Sequence, residues 1–135
     1  MAVGYQWRGD FTNLEANALH TEAFDTRLYD EAEWNWVEQV HAHSLGWVVA
    51  RDSDGKLLGF VNVPWDGLAH AWIQDTMVAE SARHRGIGRR LVEAAIEEAR
   101  GAGCEWMHVD FDDHLRSFYL DGCGFRSTNA GLIEL

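Results

Sequence analysis

The stretch Thr76-Met77-Val78-Ala79-Glu80-Ser81-Ala82-Arg83-His84-Arg85-Gly86-Ile87-Gly88-Arg89-Arg90-Leu91 changes character twice. It opens apolar, passes through a loop of cations and glycines, and closes on apolar residues at helical spacing. Backbone amides at a helix N-terminus point outward unpaired, and with the helix dipole they make a site for anions. Gly86 and Gly88 remove the side chains that would keep a diphosphate from those amides. Arg83, Arg85 and Arg89 add charge-assisted contacts to the same phosphates. Strand, arginine-glycine loop and helix together therefore read as a diphosphate cradle. A bare Gly-x-Gly is also compatible with a simple strand-to-helix turn; its place in the chain and its company favour the cradle. The dinucleotide fingerprint is excluded because Gly86-Ile87-Gly88-Arg89-Arg90-Leu91 lacks a third glycine, and a P-loop is excluded because no Gly-Lys-Ser/Thr is present after it.

Downstream, Ile87, Leu91, Ala95 and Ala99 recur on one helical stripe widened by Val92 and Ile96, with Glu93, Glu97, Glu98 and Arg100 facing away. Gly101-Ala102-Gly103 stops that helix. From Glu105 to Phe111, Met107, Val109 and Phe111 alternate with His108 and Asp110, the pattern of a strand exposed on one face. A short helix over His114 to Leu120 and a last strand over Gly131 to Leu135 are expected. Upstream, Ala69 to Ala79 predicts one long strand. It comes after a hairpin, Gly46 to Arg51 and Leu57 to Val63, around an Asp-Gly turn. Before the hairpin come a short strand at Tyr5 to Arg8 and helices over Leu14 to Phe24 and Asp30 to Ala42, the second carrying Trp34, Val37 and His41 at helix spacing. Hairpin first, then strand-helix-strand, predicts a mixed α/β (α+β) sheet with a parallel pair in its second half.

The chain has 135 residues, the size of one domain, with no internal repeat and Pro64 as its only proline. One domain over residues 1–135 is expected. Seven Trp and six Phe can fill a core with few residues. No apolar run approaches membrane-spanning length and the first residues do not resemble a leader, so a cytoplasmic protein with no membrane partner is expected. Cys104 and Cys123 read as buried free thiols. The net charge of −11 repels phosphate backbones and attracts cations, which disfavours nucleic acid and favours an amine ligand. Against that field, Arg83, Arg85, Arg89 and Arg90 form a local reversal that suggests an anion.

These residues resemble the GNAT superfamily of acyl-coenzyme-A-dependent acyltransferases. Arg83, Gly86 and Gly88 meet its loop signature of Arg or Gln, two residues, Gly, one residue, then Gly or Ala. Asp75-Thr76-Met77-Val78 looks like its fourth strand, and Ser117-Phe118-Tyr119 with the later Gly124-Phe125 looks like its closing aromatic helix and Gly-Phe element. His84 departs from a common glycine, and the Tyr119 to Gly124 spacing is one residue longer than usual. The resemblance implies a splayed central sheet flanked by helices and acetyl-coenzyme A as co-substrate, with no metal. It implies a coenzyme site built from the amides of His84, Arg85, Gly86, Ile87, Gly88 and Arg89, with the pantetheine arm lying as an extra strand beside Met77 and Val78. The Val78 amide would polarise the thioester carbonyl. Asp112 sits where the family often has an Asn touching the coenzyme arm, and Tyr119 resembles the family's general acid.

Transfer of an acyl group from a thioester to an amine also needs the amine uncharged. Asp75 is the candidate base, or an anchor for the ammonium group, and equally reads as an ion-pair or strand-end residue. Gln74 and Trp72 alternate with it, so strand register decides which faces the acceptor. Asp110 and Asp112, with His108, can line an acidic pocket or simply be solvated. Trp34, Trp36, Trp47 and Trp65 read mostly as core or as contacts in a homodimer, with an acceptor-lining role as the alternative. His41 and His43 lie on different helix faces and no carboxylate or Cys cluster accompanies them, which argues against a metal. The expected activity is acetyl transfer to a primary amine. The alternatives are a non-catalytic acyl-coenzyme-A-binding or regulatory module and a nucleotide-binding protein that uses the same loop.

Overall fold

The Asp-Gly turn organises the first sheet in a computed structural model that describes residues 2–135. Asp52 Oδ1 accepts from the N–H groups of Asp54 and Lys56, both at 2.9 Å, and Gly55 takes a left-handed φ of 84°. The strands on either side, β2 (Ser44–Asp52) and β3 (Leu57–Pro64), pair antiparallel with Val48 opposite Val61 and Val49 opposite Phe60. β1 (Val3–Trp7) adds to the outer edge of β2.

The expected strand over Ala69 to Ala79 is broken at Ile73. Its first part, β4 (His70–Trp72), pairs in parallel with β6 (Trp106–His108), while its second part, β5 (Gln74–Val78), pairs with β3. Two sheets result, β1-β2-β3-β5 antiparallel and β4-β6 parallel. The last bond between the halves runs from the Ile73 N–H to the His108 carbonyl at 2.9 Å. Two residues later Asp75 adopts φ 56°, a left-handed conformation that Asp tolerates better than most side chains, and the strand turns away from β6. Beyond that point the far edge of β5 has no strand partner among the described residues. The expected parallel pair and splay are therefore present, but the divergence sits on a bulge inside what the sequence presents as one strand.

α3 (Ile87–Gly101) makes the crossover between β5 and β6 and buries Ile87, Leu91, Val92, Ala95 and Ala99. It sits directly on β3. A Cβ at Gly59 would come within 2.9 Å of Leu91 Cδ1 and 3.1 Å of Ile87 Cγ2. The next residue, Phe60, points to the opposite face, where its ring lies 6.0 Å from that of Trp36. That face is covered by α1 (Asn13–Phe24) and α2 (Trp36–His43). α1 starts at a capping box: Glu15 N–H donates to Thr12 Oγ1 at 3.1 Å and Thr12 N–H to Glu15 Oε1 at 3.0 Å.

Three expected elements differ. The helix over Asp30 to Ala42 begins only at Trp36, because Asp30 and Glu33 exchange side-chain bonds with each other's N–H groups and fold a turn first, and Asn35 caps the helix through the Glu38 N–H. Its buried residues are Trp36 and Val40 rather than Trp34, Val37 and His41. The segment over His114 to Leu120 is a 3₁₀ turn at Asp113–Leu115 and a wide π-type turn at Phe118–Gly122. The last strand over Gly131 to Leu135 is absent: residues 126–135 are exposed and unpaired, with Leu132 88% and Ile133 81% accessible. A strand needs a ladder partner, and the segment has none among the described residues.

Candidate active site

The loop ahead of α3 leaves its amides free. The first bond accepted by the loop carbonyls comes from Arg90 N–H to Gly86, at 3.1 Å, and the N–H groups of His84 through Arg89 have no acceptor among the described residues. His84 and Gly86 both take left-handed backbone, φ 63° and 77°, which rotates successive amides toward one side. A Cβ at Gly86 would meet nothing within 4 Å, so the space in front of those amides is open. The arginines divide their work. Arg89 Nε donates to Glu93 at 2.8 Å and Arg90 packs 4.9 Å above the Tyr5 ring. Arg83 donates to the carbonyl of Glu22 at 3.4 Å, at the end of α1, while the Glu22 carboxylate accepts from the Glu80 N–H. Arg85 has no ion-pair partner among the described residues.

Where β5 and β6 part, a cavity of about 430 Å³ opens. Its wall holds Gln74, Asp75 and Thr76 from β5, Asp110, Phe111 and Asp112 from the segment after β6, Tyr119 from the wide turn and Phe24 from α1. Tyr119 is buried at 6% exposure and clamped by rings, stacking on Phe111 at 5.2 Å and meeting Phe118 edge-on at 4.8 Å. Its hydroxyl donates to Thr76 Oγ1 at 3.3 Å. Burial raises its phenol above the usual 10, the Thr76 bond lowers it, and Cys123 and Asp110 raise it again. Asp75 faces Asn62, whose Nδ2 donates to Oδ2 at 3.5 Å; Ser44 Oγ in turn donates to Asn62 Oδ1 at 2.5 Å. Burial holds the Asp75 carboxyl above the ordinary carboxylate range, opposed by the Asn62 bond and by His20. Among the described residues no group of three or more metal-ligating side chains converges.

The Acetyltransferase (GNAT) family profile matches residues 8–125. The chain belongs to that family. A stretch of 58 residues is 39% identical to glucosamine 6-phosphate N-acetyltransferase 1 of Oryza sativa subsp. japonica, covering 43% of this chain and 34% of the relative, so the chain matches about a third of that relative's length. The crystal structure of a Trypanosoma brucei acetyltransferase superposes with a TM-score of 0.81, covering 99% of this chain and 100% of the other at 19% identity. AAC(6')-Iy, solved with the bisubstrate analog CoA-S-monomethyl-acetylneamine, superposes with a TM-score of 0.76 over 100% of this chain and 98% of its own, also at 19% identity. The GNAT fold expected from the loop and the closing aromatic segment is the fold observed.

In this GNAT chain the sequence-derived candidates fall in two groups. Tyr119, Asp75, Asp110, Asp112 and Gln74 meet in the cavity. Met77 and Val78 lie on the strand with the free edge, and Gly88 joins the two groups, since a Cβ there would sit 3.3 Å from Phe118, the neighbour of Tyr119. Others lie elsewhere. Trp72 and His108 stack at 5.1 Å outside the cavity wall, and His108 Nε2 lies 2.7 Å from His70 Nδ1. Trp36 and Trp47 are core, Trp34 and Trp65 partly so, and none lines the cavity. Trp34 stacks on Trp36 at 4.2 Å with planes 6° apart. Cys104 and Cys123 are free and half-buried, with the Cys123 thiol pushed up to about 11 by burial. No helix among the described residues is long and apolar enough to cross a membrane.

Sequence reasoning missed Phe24, Thr76, Asn62 and His20. Asn62 carried a visible signal as a lone amide within the apolar run Leu57 to Val63, and it is 1% exposed. His20, 8% exposed on α1, carried none.

Proposed function

We propose that this chain transfers an acetyl group from acetyl-coenzyme A directly to the primary amine of a small cationic acceptor. The observation that carries the reading is the convergence of Tyr119 and Asp75 on one cavity at the splay, next to a loop of unpartnered amides. The loop fits the coenzyme's diphosphate: the amides of His84 to Arg89 donate, Arg83, Arg85 and Arg89 supply charge, and the open face of Gly86 admits the phosphates. The free edge of β5 at Met77 and Val78 fits the amide-bearing pantetheine arm, which satisfies strand donors and acceptors as another strand would. Asp112 lies on the cavity rim where that arm would end.

The cavity fits a cation. Asp75, Asp110 and Asp112 line it, no Lys or Arg among the described residues does, and Phe24, Phe111 and Ile73 give it apolar walls. Asp75 accepts a proton from the bound ammonium. The freed amine attacks the thioester carbonyl, whose oxygen takes a hydrogen bond from the Val78 amide. Collapse breaks the carbon–sulfur bond, and the leaving thiolate is protonated by the Tyr119 hydroxyl, which recovers its proton as the nitrogen loses its second one. Burial keeps the Tyr119 phenol protonated through the earlier steps, so that a proton is at hand for the departing thiolate. The free thiols suit a reducing compartment, which supports a cytoplasmic setting.

The test is a calorimetric titration with acetyl-coenzyme A and with coenzyme A, and then thiol release across a panel of amines. Micromolar binding and turnover of cationic amines are expected. Tight coenzyme binding without turnover on any amine would instead indicate a non-catalytic acyl-coenzyme-A module, and displacement by adenosine nucleotides alone would indicate a nucleotide site.

A further inference from the structure

A single residue of α1 holds the donor loop. The Glu22 carboxylate accepts from the Glu80 N–H, and the Glu22 carbonyl accepts from Arg83 Nη2 at 3.4 Å, partners that lie 58 and 61 positions further along the chain. Among the described residues these are the hydrogen bonds between α1 and the loop segment. Glu80 opens the one-turn helix Glu80–Ala82, which leads directly into the loop, and the first N–H of a helix has no acceptor inside it. Arg83 follows that turn and precedes the unpartnered amides of His84 to Arg89. On the other side of the tie, α1 ends with no cation in its last turn and with Asp25 at its left-handed cap. A helix C-terminus favours a cation, and Arg83 supplies one from outside. Two residues beyond Glu22 stands Phe24, which enters the cavity wall with Asp75 and Tyr119. Phe24 is 47% exposed, so packing anchors it only in part.

We propose that Glu22 is a positioning residue that couples the two halves of the site, passing occupation of the His84 to Arg89 amides on to the Phe24 wall of the acceptor cavity. The inference rests on the coenzyme-binding part of the reading above. Phosphates settling on the loop draw on Arg83, whose guanidinium has donors to spare for both a phosphate and the Glu22 carbonyl. They also fix the turn that begins at Glu80. Glu22 carries both contacts, so the end of α1 follows the loop, and Phe24 follows the end of α1. The two ties act on different groups of one residue, which makes the link a lever and not a point contact: the carboxylate holds the turn, the carbonyl holds the arginine. Coupling of this kind is reciprocal, so an acceptor that settles against Phe24 tightens the loop on the coenzyme by the same factor.

The experiment has two arms and uses Glu22→Ala, which removes the carboxylate, beside Glu22→Gln, which keeps an acceptor oxygen for the Glu80 N–H. In the first arm each chain is titrated with adenosine 3′-phosphate 5′-diphosphate, the coenzyme's nucleotide without its pantetheine arm, while NMR follows the loop amides and the Phe24 ring. This probe engages the loop and leaves the cavity empty. In the wild-type and Gln chains the Phe24 signals are expected to move in step with the amides; in the Ala chain the amides should move with unchanged affinity and Phe24 should stay still. A Phe24 ring that is silent in the wild-type chain, or that responds equally in the Ala chain, overturns the proposal. Loop amides that respond to neither this nucleotide nor coenzyme A overturn the coupling and the acetyl-transfer reading together. A Phe24 response in a chain that acetylates no amine sustains the coupling and defeats that reading alone. In the second arm, with an amine that turns over, Glu22→Ala should raise the acceptor KM about tenfold with the coenzyme KM unchanged, and Glu22→Gln should restore most of the loss. Equal rises in both KM values, unrescued by Gln, mean that Glu22 only supports the fold and overturn the proposal.

Discussion

The two halves of the candidate site are built from different materials. The donor half is a run of consecutive backbone amides, His84 to Arg89, exposed and preset by two left-handed residues. The acceptor half is a wall of side chains drawn from Phe24, Asp75, Asp110 and Tyr119, partly sealed and held by other side chains. A backbone site tolerates changes in most side chains and fails only when space or backbone angle is altered. A side-chain site fails one atom at a time. The two halves should therefore respond differently to substitution, and that difference can be broken or sharpened experimentally.

The largest effect is expected at Tyr119. Tyr119→Phe keeps the stacked ring and removes one oxygen, and kcat should fall by about 10²–10⁴ with coenzyme affinity unchanged. A parallel loss of affinity would mean that the hydroxyl holds the coenzyme in place and is not only a proton donor to its sulfur. Gly86→Glu should weaken coenzyme binding by at least about a hundredfold, about 2.7 kcal/mol, since it sets a carboxylate against the diphosphate. The φ of 77° makes any side chain there strained by about 1–2 kcal/mol, so Gly86→Ala is the control: it should lose stability but bind far better than the Glu variant. Equal weakening by both would replace charge with strain as the cause. Arg83→Ala should cost about tenfold in coenzyme affinity, less as salt rises. A salt-independent loss would assign Arg83 to tethering α1 instead.

The smallest effect concerns stability. Because burial raises the Asp75 carboxyl, the folded chain binds its proton more tightly than the unfolded chain does. The resulting stability is complete below the unfolded pKa and declines as pH rises through the folded one. Asp75→Asn, neutral at every pH, should therefore raise Tm at pH 8 and change it little at pH 4. A gain of equal size at both values would show that desolvation of the charge is not the cause.

This contrast in materials also accounts for which parts of the molecule are legible in the sequence. The loop is contiguous, so Arg83, Gly86 and Gly88 show it directly, and the helical period of Ile87, Leu91, Ala95 and Ala99 specifies α3 behind it. Tyr119 is legible through its neighbours Phe118 and Gly124-Phe125. The bulge at Asp75 is hidden because one Asp within Ala69 to Ala79 does not by itself mark a break, which depends on which of two sheets each half joins. His20 and Phe24 are hidden because nothing in α1 marks which turn will border a cavity formed some fifty residues later. The strand expected at Gly131 to Leu135 fails for a related reason: alternation says a segment can be a strand, whereas a free ladder edge decides whether it is one.

The stacked indoles of Trp34 and Trp36 give this chain an optical label of its own. Two parallel chromophores 4.2 Å apart mix their excited states, so the pair should give a split signal in the far-ultraviolet circular dichroism, where the strong indole transition lies, that lone tryptophans do not. Both rings border His20, and Phe24 connects that cluster to the cavity wall. An acceptor that displaces Phe24 will disturb the splitting, so occupancy of the acceptor half can be read by spectroscopy without a dye, a tag or a reaction.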